Sequence, residues 1–314
     1  MADSELLPPK FSDPFVTVKG ETRAHVEYGR TKTLWFNTGT LCNIECVNCY
    51  IESSPTNDRL VYLTMADVLP YLDELEAAGE TGIEIGFTGG EPFMAPQMNA
   101  ILQVVLERGF SVLMLTNAMQ PMMRPRVRDG LLALREAYGD RLTMRVSLDH
   151  YDAAFHDEER GEGSFELAIK GLRWLSENGF TLALAGRTVW GEEEAVSRAG
   201  YEGLIAREGL AIDPSNPKEL VLFPEMRPNE DPPEITTACW DILCKDPNEL
   251  MCASQRMVVK RKGAKSASVV ACTLLPYDTQ FDLGTTLQEA RQSVRLNHSY
   301  CASFCVLGGG SCSA

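Results

Sequence analysis

No cysteine occurs between residues 49 and 239 of this 314-residue chain, although it has ten. The gap leaves two groups: Cys42, Cys46 and Cys49 near the front, and Cys239, Cys244, Cys252, Cys272, Cys301, Cys305 and Cys312 in the last quarter. Also missing is any apolar run of the ~18 residues that a bilayer span requires, so no membrane partner is expected. Positive charge is in deficit: 29 Lys and Arg face 44 Asp and Glu, a formal net charge of −15. That balance removes the general electrostatic drive toward nucleic acid or an anionic membrane. The opening residues MADSELLPPKFSDP are acidic and proline-broken, where a secretory or transit leader would be basic and then apolar, which predicts a cytoplasmic protein. Such a compartment keeps thiols reduced, so clustered cysteines read there as metal ligands or catalytic groups and not as disulfides. Histidine is scarce, at four, and His150 and His156 are read as surface structure ahead of a general base.

What is present is a globular composition, 44% hydrophobic and 23% charged, with a regular alternation of elements. Short β-rich runs alternate with amphipathic stretches from about residue 33 to 225. The runs are TLWFN from Thr33, GIEIGF from Gly82, SVLML from Ser111, RLTMRVSL from Arg141, FTLALAGRTV from Phe180 and ELVLF from Glu219. Thr64 is a candidate N-cap for a helix with apolar Val68, Leu69, Leu72 and Leu75 that stops at Gly79, and Met98, Ile101, Leu102, Val105 and Leu106 share the face of the next. Further helices are expected around residues 127–137, 164–179 and 194–207. Repeated βα units wind right-handed into a parallel sheet, and six are too few to close an eight-stranded barrel. The predicted fold is therefore α/β, a partial (β/α)6 barrel over residues 33–225 after an extension of residues 1–32. A small cysteine-rich α+β appendage over residues 226–314 follows, with PEMRPNEDPP as the linker. The basic run KRKGAK at residues 260–265 reads as a solvated hairpin tip with a glycine turn, or else as a docking site for an acidic electron donor.

The segment LCNIECVNCYIESS spaces three cysteines as Cys-x3-Cys-x2-Cys. Three thiolates can hold three irons of a cubane and leave the fourth open; a zinc site completed by a distant ligand is the competing reading. The run CNIECVNCY, placed directly after the first barrel strand, resembles the cluster loop of the radical SAM superfamily. The resemblance implies a [4Fe-4S] cluster on Cys42, Cys46 and Cys49 whose open iron is chelated by S-adenosylmethionine. The family usually carries an aromatic residue just before the third cysteine, near the adenine; here Asn48 stands there and Tyr50 follows the cysteine. FTGGEPF after the second strand is similar to the family's GGE motif, with Gly89 and Gly90 allowing close approach and Glu91 offering an acceptor to the methionine ammonium. Residues at the C-terminal ends of barrel strands line the active site. Thr116 and Asn117 end the third strand, Ser147 and Asp149 in VSLD resemble the family's ribose-binding segment, and Arg187 closes the fifth strand as a partner for the methionine carboxylate.

The last quarter resembles the SPASM and Twitch appendages of radical SAM maturases. It has a cysteine, a hairpin turning at Gly263, a second cysteine, a short helix opened by the LG of DLGTTLQEARQSV, and further cysteines. This implies one auxiliary [4Fe-4S] cluster on Cys252, Cys272, Cys301 and either Cys305 or Cys312, with glycines 308–310 letting the last cysteine fold back. A structural zinc module is the alternative. The expected function is reductive cleavage of S-adenosylmethionine to a 5′-deoxyadenosyl radical and hydrogen abstraction from a small metabolite or peptide, in a net oxidation or maturation. The electron donor would be a reduced flavodoxin or ferredoxin. Only about 30 residues precede the first strand, which tilts the substrate toward a small metabolite or a peptide presented by another protein. An iron–sulfur electron-transfer protein and a zinc-dependent binding module are the other classes.

Overall fold

The structure, a computed structural model, describes residues 9–226 and 230–312. Residues 1–8 of the expected extension and 227–229 of the expected linker lie outside the described residues. Strands are numbered along the chain: His25–Val26 (β1), Thr33–Asn37 (β2), Glu84–Thr88 (β3), Ser111–Thr116 (β4) and Leu142–Ser147 (β5). Then come Thr181–Arg187 (β6), Leu220–Phe223 (β7), Gln255–Val259 (β8), Ser268–Val270 (β9) and Val294–Arg295 (β10). Eight of them form one sheet in the order β7-β6-β5-β4-β3-β2-β8-β9, parallel from β7 to β8 with β9 antiparallel at the edge. The six expected barrel strands are all there, wound in sequence order.

Strand β2 is buried at every position, as a parallel strand covered on both faces must be. Trp35 on it lies against Gly86 of β3, where a Cβ would come within 2.3 Å of the indole, and donates Nε1–H to Gln255 Oε1 at 3.0 Å. That one side chain therefore fixes β2 against both neighbours. Helices α1 (Met65–Ala77), α2 (Met98–Glu107), α3 (Pro125–Tyr138), α5 (Ser164–Glu177) and α6 (Glu194–Glu208) cross over between the strands. α1 opens on Thr64, whose N–H donates to the Asp67 carboxylate at 2.9 Å, the expected cap. The segment between β5 and α5 folds as a further helix, α4 (Ala153–Arg160), capped by Asp152 accepting from the Ala154 N–H. No element was expected there.

The tail is not a separate body beside the barrel, because its hairpin β8–β9 extends the barrel sheet through β2. Gly263 turns the hairpin at φ +80°. Most of the basic tip is paired within the chain: Lys260 with Asp67, Arg261 with Asp282 and Lys262 with Asp58. Three of the four cations on which the docking reading of residues 260–265 rests are thus paired within the chain. The segment before β2 joins the tail: β1 pairs with β10, and the Ala24 N–H donates to Ile235 O. The guanidinium of Arg23, fully buried, meets Glu234 at 2.5 Å. The short helix expected from DLGTTLQEARQSV is a set of turns instead. Carbonyls there that would propagate a helix are taken by Arg256, whose Nε and Nη2 donate to Ala290 O and Gln292 O. The last helical element is a π-helical turn, Cys301–Leu307. Among the described residues no helix is long and apolar enough to cross a membrane.

Candidate functional site

The C-terminal ends of the parallel strands converge on an open cavity with about 1160 Å³ of atom-free space, part of it solvent. Cys42, Cys46 and Cys49 line one wall, Gly89 and Gly90 a second, and Asn117, Ser147 and Asp149 a third. A ligand site at this end is what the sheet topology dictates.

The cysteine loop is an extension of β2. Beyond Asn37, Thr38 N–H donates to Thr88 O, Gly90 N–H to Gly39 O and Glu91 N–H to Leu41 O, so the ladder with β3 runs on to the first cysteine. This explains the two glycines. A Cβ at Gly89, whose φ is +133°, would sit 2.5 Å from Gly39 O, and one at Gly90 would sit 2.2 Å from Leu41 O. The loop closes on itself when Ser53 N–H donates to Cys49 Sγ at 3.3 Å and Cys42 N–H to Ser54 O at 3.0 Å. Burial pushes the Cys42 thiol up to about 12 and the Cys46 thiol to about 11, so bare thiolates are costly here and a bound cation is the natural compensation. Among the described residues no three His, Cys, Asp or Glu side chains converge on a single-ion site. A cubane asks for less convergence than a tetrahedral zinc ion, because each thiolate takes a different iron.

Three predicted ligands are already occupied. Glu91, 1% exposed, does not line the cavity; its carboxylate accepts from Thr116 Oγ1 at 2.9 and 3.0 Å, Asn117 N–H at 2.9 Å and Phe93 N–H at 3.1 Å. Burial pushes its pKa up to about 7 against those donors. The side chain read as an acceptor for an ammonium instead ties the glycine turn to the end of β4. Asp149, 2% exposed, is gripped by Arg160 in two bonds, Nε to Oδ2 at 2.6 Å and Nη2 to Oδ1 at 2.9 Å. Burial alone would raise its pKa, but the Arg160 guanidinium holds it below the usual carboxylate range. Arg187, the expected partner of a methionine carboxylate, spends Nη1 on Glu159 at 2.8 Å and Nη2 on Glu225 at 2.6 and 2.7 Å. Asn117 lines the wall and donates to Asn43 Oδ1 at 2.9 Å, which orders the cluster loop. Tyr50 and Ser147 line the cavity as expected.

Sequence reading missed α4, and with it two residues of the site. Glu159 accepts Asn48 Nδ2–H at 2.5 Å and its carbonyl takes Val47 N–H at 2.9 Å, so α4 clamps the loop between the second and third cysteines. Asn48 therefore has a partner where the family has an aromatic ring. Arg160 lines the cavity itself. The signals were Asp152 as N-cap and Gly161 as stop, with the eight residues AAFHDEER between them. His156 on α4 is buried; its Nδ1 accepts the Asp149 N–H at 3.2 Å, and burial lowers its pKa to about 4. It is an uncharged spacer and not a surface residue.

A second, smaller cavity lies under the tail. Cys252, Cys272, Cys301 and Cys305 line it, and its other walls include Leu250, Leu275, Phe281 and Leu296. Burial raises all four thiols, Cys252 to about 11 and Cys272 to about 12. Four cysteines around one apolar space suit a closed cubane. Of the two alternatives for the fourth ligand, Cys305 lines this cavity and Cys312 lines the larger one. The Cys312 Sγ lies 3.0 Å from Thr273 Oγ1.

The sequence profile of the Radical SAM superfamily matches residues 36–194. The chain is 33% identical over 145 residues to the antilisterial bacteriocin subtilosin biosynthesis protein AlbA of Bacillus subtilis (strain 168), covering 46% of this chain and 30% of AlbA. It is 31% identical over 140 residues to the mycofactocin maturase MftC of Mycolicibacterium smegmatis, covering 45% and 33%. The chain thus spans about a third of the length of these curated relatives. In fold it is similar to anSMEcpe with bound AdoMet, with a TM-score of 0.60 at 13% identity over 85% of this chain and 82% of that one. It is also similar to Streptococcus suis SuiB bound to S-adenosylmethionine, with a TM-score of 0.58 at 12% identity over 81% and 63%.

Proposed function

Because the chain belongs to the radical SAM superfamily, we propose that it cleaves S-adenosylmethionine reductively at a [4Fe-4S] cluster held by Cys42, Cys46 and Cys49. It would then abstract hydrogen from a substrate that is a peptide or small metabolite. When bound, the cluster supplies the electron that splits the sulfonium and so the radical that does the abstraction. The observation that carries this reading is the shared cavity: the three-cysteine loop and the Gly89–Gly90 turn are pressed together at 2.2 to 2.5 Å clearance for a Cβ, and both face one cavity with Ser147 and Asp149.

The chain's own residues prepare the rest. Glu91 holds the glycine turn and the β4 end in register, and Glu159 holds the cluster loop. Arg160 brings a guanidinium to the cavity, already neutralised by Asp149. Gly89 and Gly90 leave backbone facing the cavity, which is where the methionine end of the cofactor would take its contacts. Tyr50 and Ser147 are the candidates for the adenosyl end. Within this reading residues 33–225 form the catalytic barrel, and residues 226–314 form a tail that carries an auxiliary [4Fe-4S] cluster on Cys252, Cys272, Cys301 and Cys305. The relatives named for a bacteriocin's biosynthesis and for a maturase favour maturation as the reaction class. A flavodoxin- or ferredoxin-type donor would reduce the front cluster.

The test is anaerobic iron analysis together with 5′-deoxyadenosine formation from S-adenosylmethionine and dithionite. Wild type should carry about eight irons and the Cys42→Ala/Cys46→Ala/Cys49→Ala variant about four, with cleavage lost. A wild type that holds iron but forms no 5′-deoxyadenosine under reduction would reduce the protein to electron transfer.

A further inference from the structure

We propose that the arginines opening α3 form the docking surface for the front cluster's electron donor, an acidic carrier of the flavodoxin type; this rests on the reading of Cys42, Cys46 and Cys49 as that cluster's ligands. Arg124, Arg126 and Arg128 stand within five residues, and Asp129 is the one carboxylate between residues 108 and 135. Over the whole chain the balance runs the other way, at a formal net charge of −15. These cations are also unspent. Arg124 and Arg126 are exposed, with no side-chain hydrogen bond or ion pair among the described residues. Arg128 lies over the Trp174 ring at 5.9 Å and keeps a buried Nε without a partner among the described residues. Cations around the cysteine loop are by contrast taken: Arg59 pairs with Glu52, Arg160 with Asp149, and Arg187 with Glu159 and Glu225.

The fold gains nothing from this placement. α3 has no acidic residue in its first turn and no side chain capping it, and its aligned peptide dipoles repel cations there. Short contacts join the patch to the cluster loop. Asn43, next to Cys42, has Nδ2 3.9 Å from Met119 Sδ, and Met123 N–H donates to Met119 O at 3.2 Å, which brings the chain to Arg124. Tyr62 spans the same interval. A Cβ at Gly39 would come within 3.1 Å of its ring. Burial raises the pKa of its hydroxyl, with Arg124 opposing the rise and Cys42 adding to it, so the group lies in the field of both. An electron arriving at this patch reaches Cys42 from behind the loop, while the cavity in front stays free for S-adenosylmethionine.

Charge selects the partner. A chain this acidic repels an acidic carrier over most of its surface and admits it where positive field is concentrated. Between the guanidiniums the surface is apolar, with Pro125 exposed and Met123 and Val127 half-buried. That suits the uncharged dimethylbenzene edge of a flavin, whereas an iron–sulfur carrier presents an anionic cluster. In the step itself the reduced flavin gives up one electron and the front cluster takes it. No bond is made or broken, and the arginines only hold the carrier.

Oxidised flavodoxin is titrated by calorimetry into anaerobic holoenzyme at ~10 mM and ~150 mM salt, between which the screening length falls from ~30 to ~8 Å. Wild type should bind at the lower salt and weaken by about tenfold at the higher, within the range of electrostatic steering. Arg124→Glu/Arg126→Glu should bind about tenfold more weakly at low salt and lose most of that salt dependence. Its iron content and its 5′-deoxyadenosine formation with dithionite should match wild type, while formation with limiting reduced flavodoxin falls by the same factor. Lys262→Glu/Lys265→Glu, at the hairpin tip, should behave as wild type. No binding by wild type, equal binding by the arginine variant, an equal loss in the tip variant, or a patch that prefers a ferredoxin or a short DNA duplex to flavodoxin would each overturn the assignment. A wild type that forms no 5′-deoxyadenosine with dithionite would instead refute the cleavage reading beneath it, and the titrations would still decide whether the patch docks the carrier.

Discussion

Replacing Gly90 by alanine adds one methyl group at the most crowded point of the site. The new Cβ would lie 2.2 Å from Leu41 O and 3.1 Å from Cys42 N, where ordinary contact begins at 3.4 Å. Both neighbours are backbone, so no side chain can swing away, and the strand leading to Cys42 must retreat by about 1 Å. Overpacking of this kind costs ~1 to 3 kcal/mol of stability. The catalytic cost is larger, because an error of about 1 Å in a positioned reacting group lowers rates by ~100-fold. The variant should therefore stay folded with most of its iron while 5′-deoxyadenosine formation falls by about two orders of magnitude. Gly203→Ala is the internal control: nothing lies within 4 Å of its Cβ, and it sits inside α6 without positive φ. Helix propensity there predicts stabilisation of up to ~1 kcal/mol with cleavage unchanged. Gly90→Ala with wild-type cleavage would show that the glycine turn and the cysteine loop do not act as one unit.

Other perturbations separate the supporting parts. Glu159→Ala removes the acceptor shared by Asn48 and Arg187; loss of these charge-assisted bonds, worth ~1.5 to 3 kcal/mol each, should speed iron removal from the front cluster by a chelator, while tail iron is unaffected. His156 is buried neutral, with its pKa lowered from 6.5 to about 4 by burial. Stability from this group is present above pH ~6.5 and is lost as pH falls toward 4, up to about 3 kcal/mol. Urea melts of wild type and His156→Gln should diverge above that window and converge below it. Glu234→Gln leaves the Arg23 guanidinium buried without its counter-charge; a loss of ~3 to 5 kcal/mol follows, and unchanged thermal stability would show that the segment before β2 is not anchored to the tail by this pair.

Period and spacing made the barrel legible. The runs at residues 33, 111 and 181 are apolar without strict alternation, as strands covered on both faces must be, and glycines at 79, 109 and 179 stop the helices between them. The cluster loop was legible for a different reason: thiols separated by three and then two intervening residues have few other uses in a chain that lacks cysteines elsewhere in its barrel. Charge saturation was not legible. Arg187 reads as a free guanidinium on a barrel rim, but Glu225, its partner, lies in a stretch that composition marks as a linker, and Glu159 lies on a helix whose apolar face is too short to announce itself. The failed helix at residues 283–292 has the same origin, because the residue that takes its carbonyls, Arg256, is a distant strand residue.

The split of the tail cysteines between two cavities bears on how the chain could couple them. Leu274 lines both cavities, and Cys272 and Thr273 precede it, so three consecutive residues face the tail cavity, Cys312 and the shared wall in turn. Such an arrangement places the two cysteine-lined cavities on opposite sides of one short segment at the end of the β8–β9 hairpin. The hairpin is in turn fixed to β2, the strand that delivers Cys42. A shift of β2 therefore reaches both sites through covalent continuity on one side and sheet pairing on the other. Gln255→Ala, which deletes the acceptor for Trp35 Nε1 between β2 and β8, should loosen that joint at a cost of ~1 to 3 kcal/mol for the unpaired buried donor. If the two sites are coupled this way, the variant loses iron from both clusters in parallel when challenged with a chelator; selective loss from the front cluster alone would show that the tail holds its own geometry independently of the barrel.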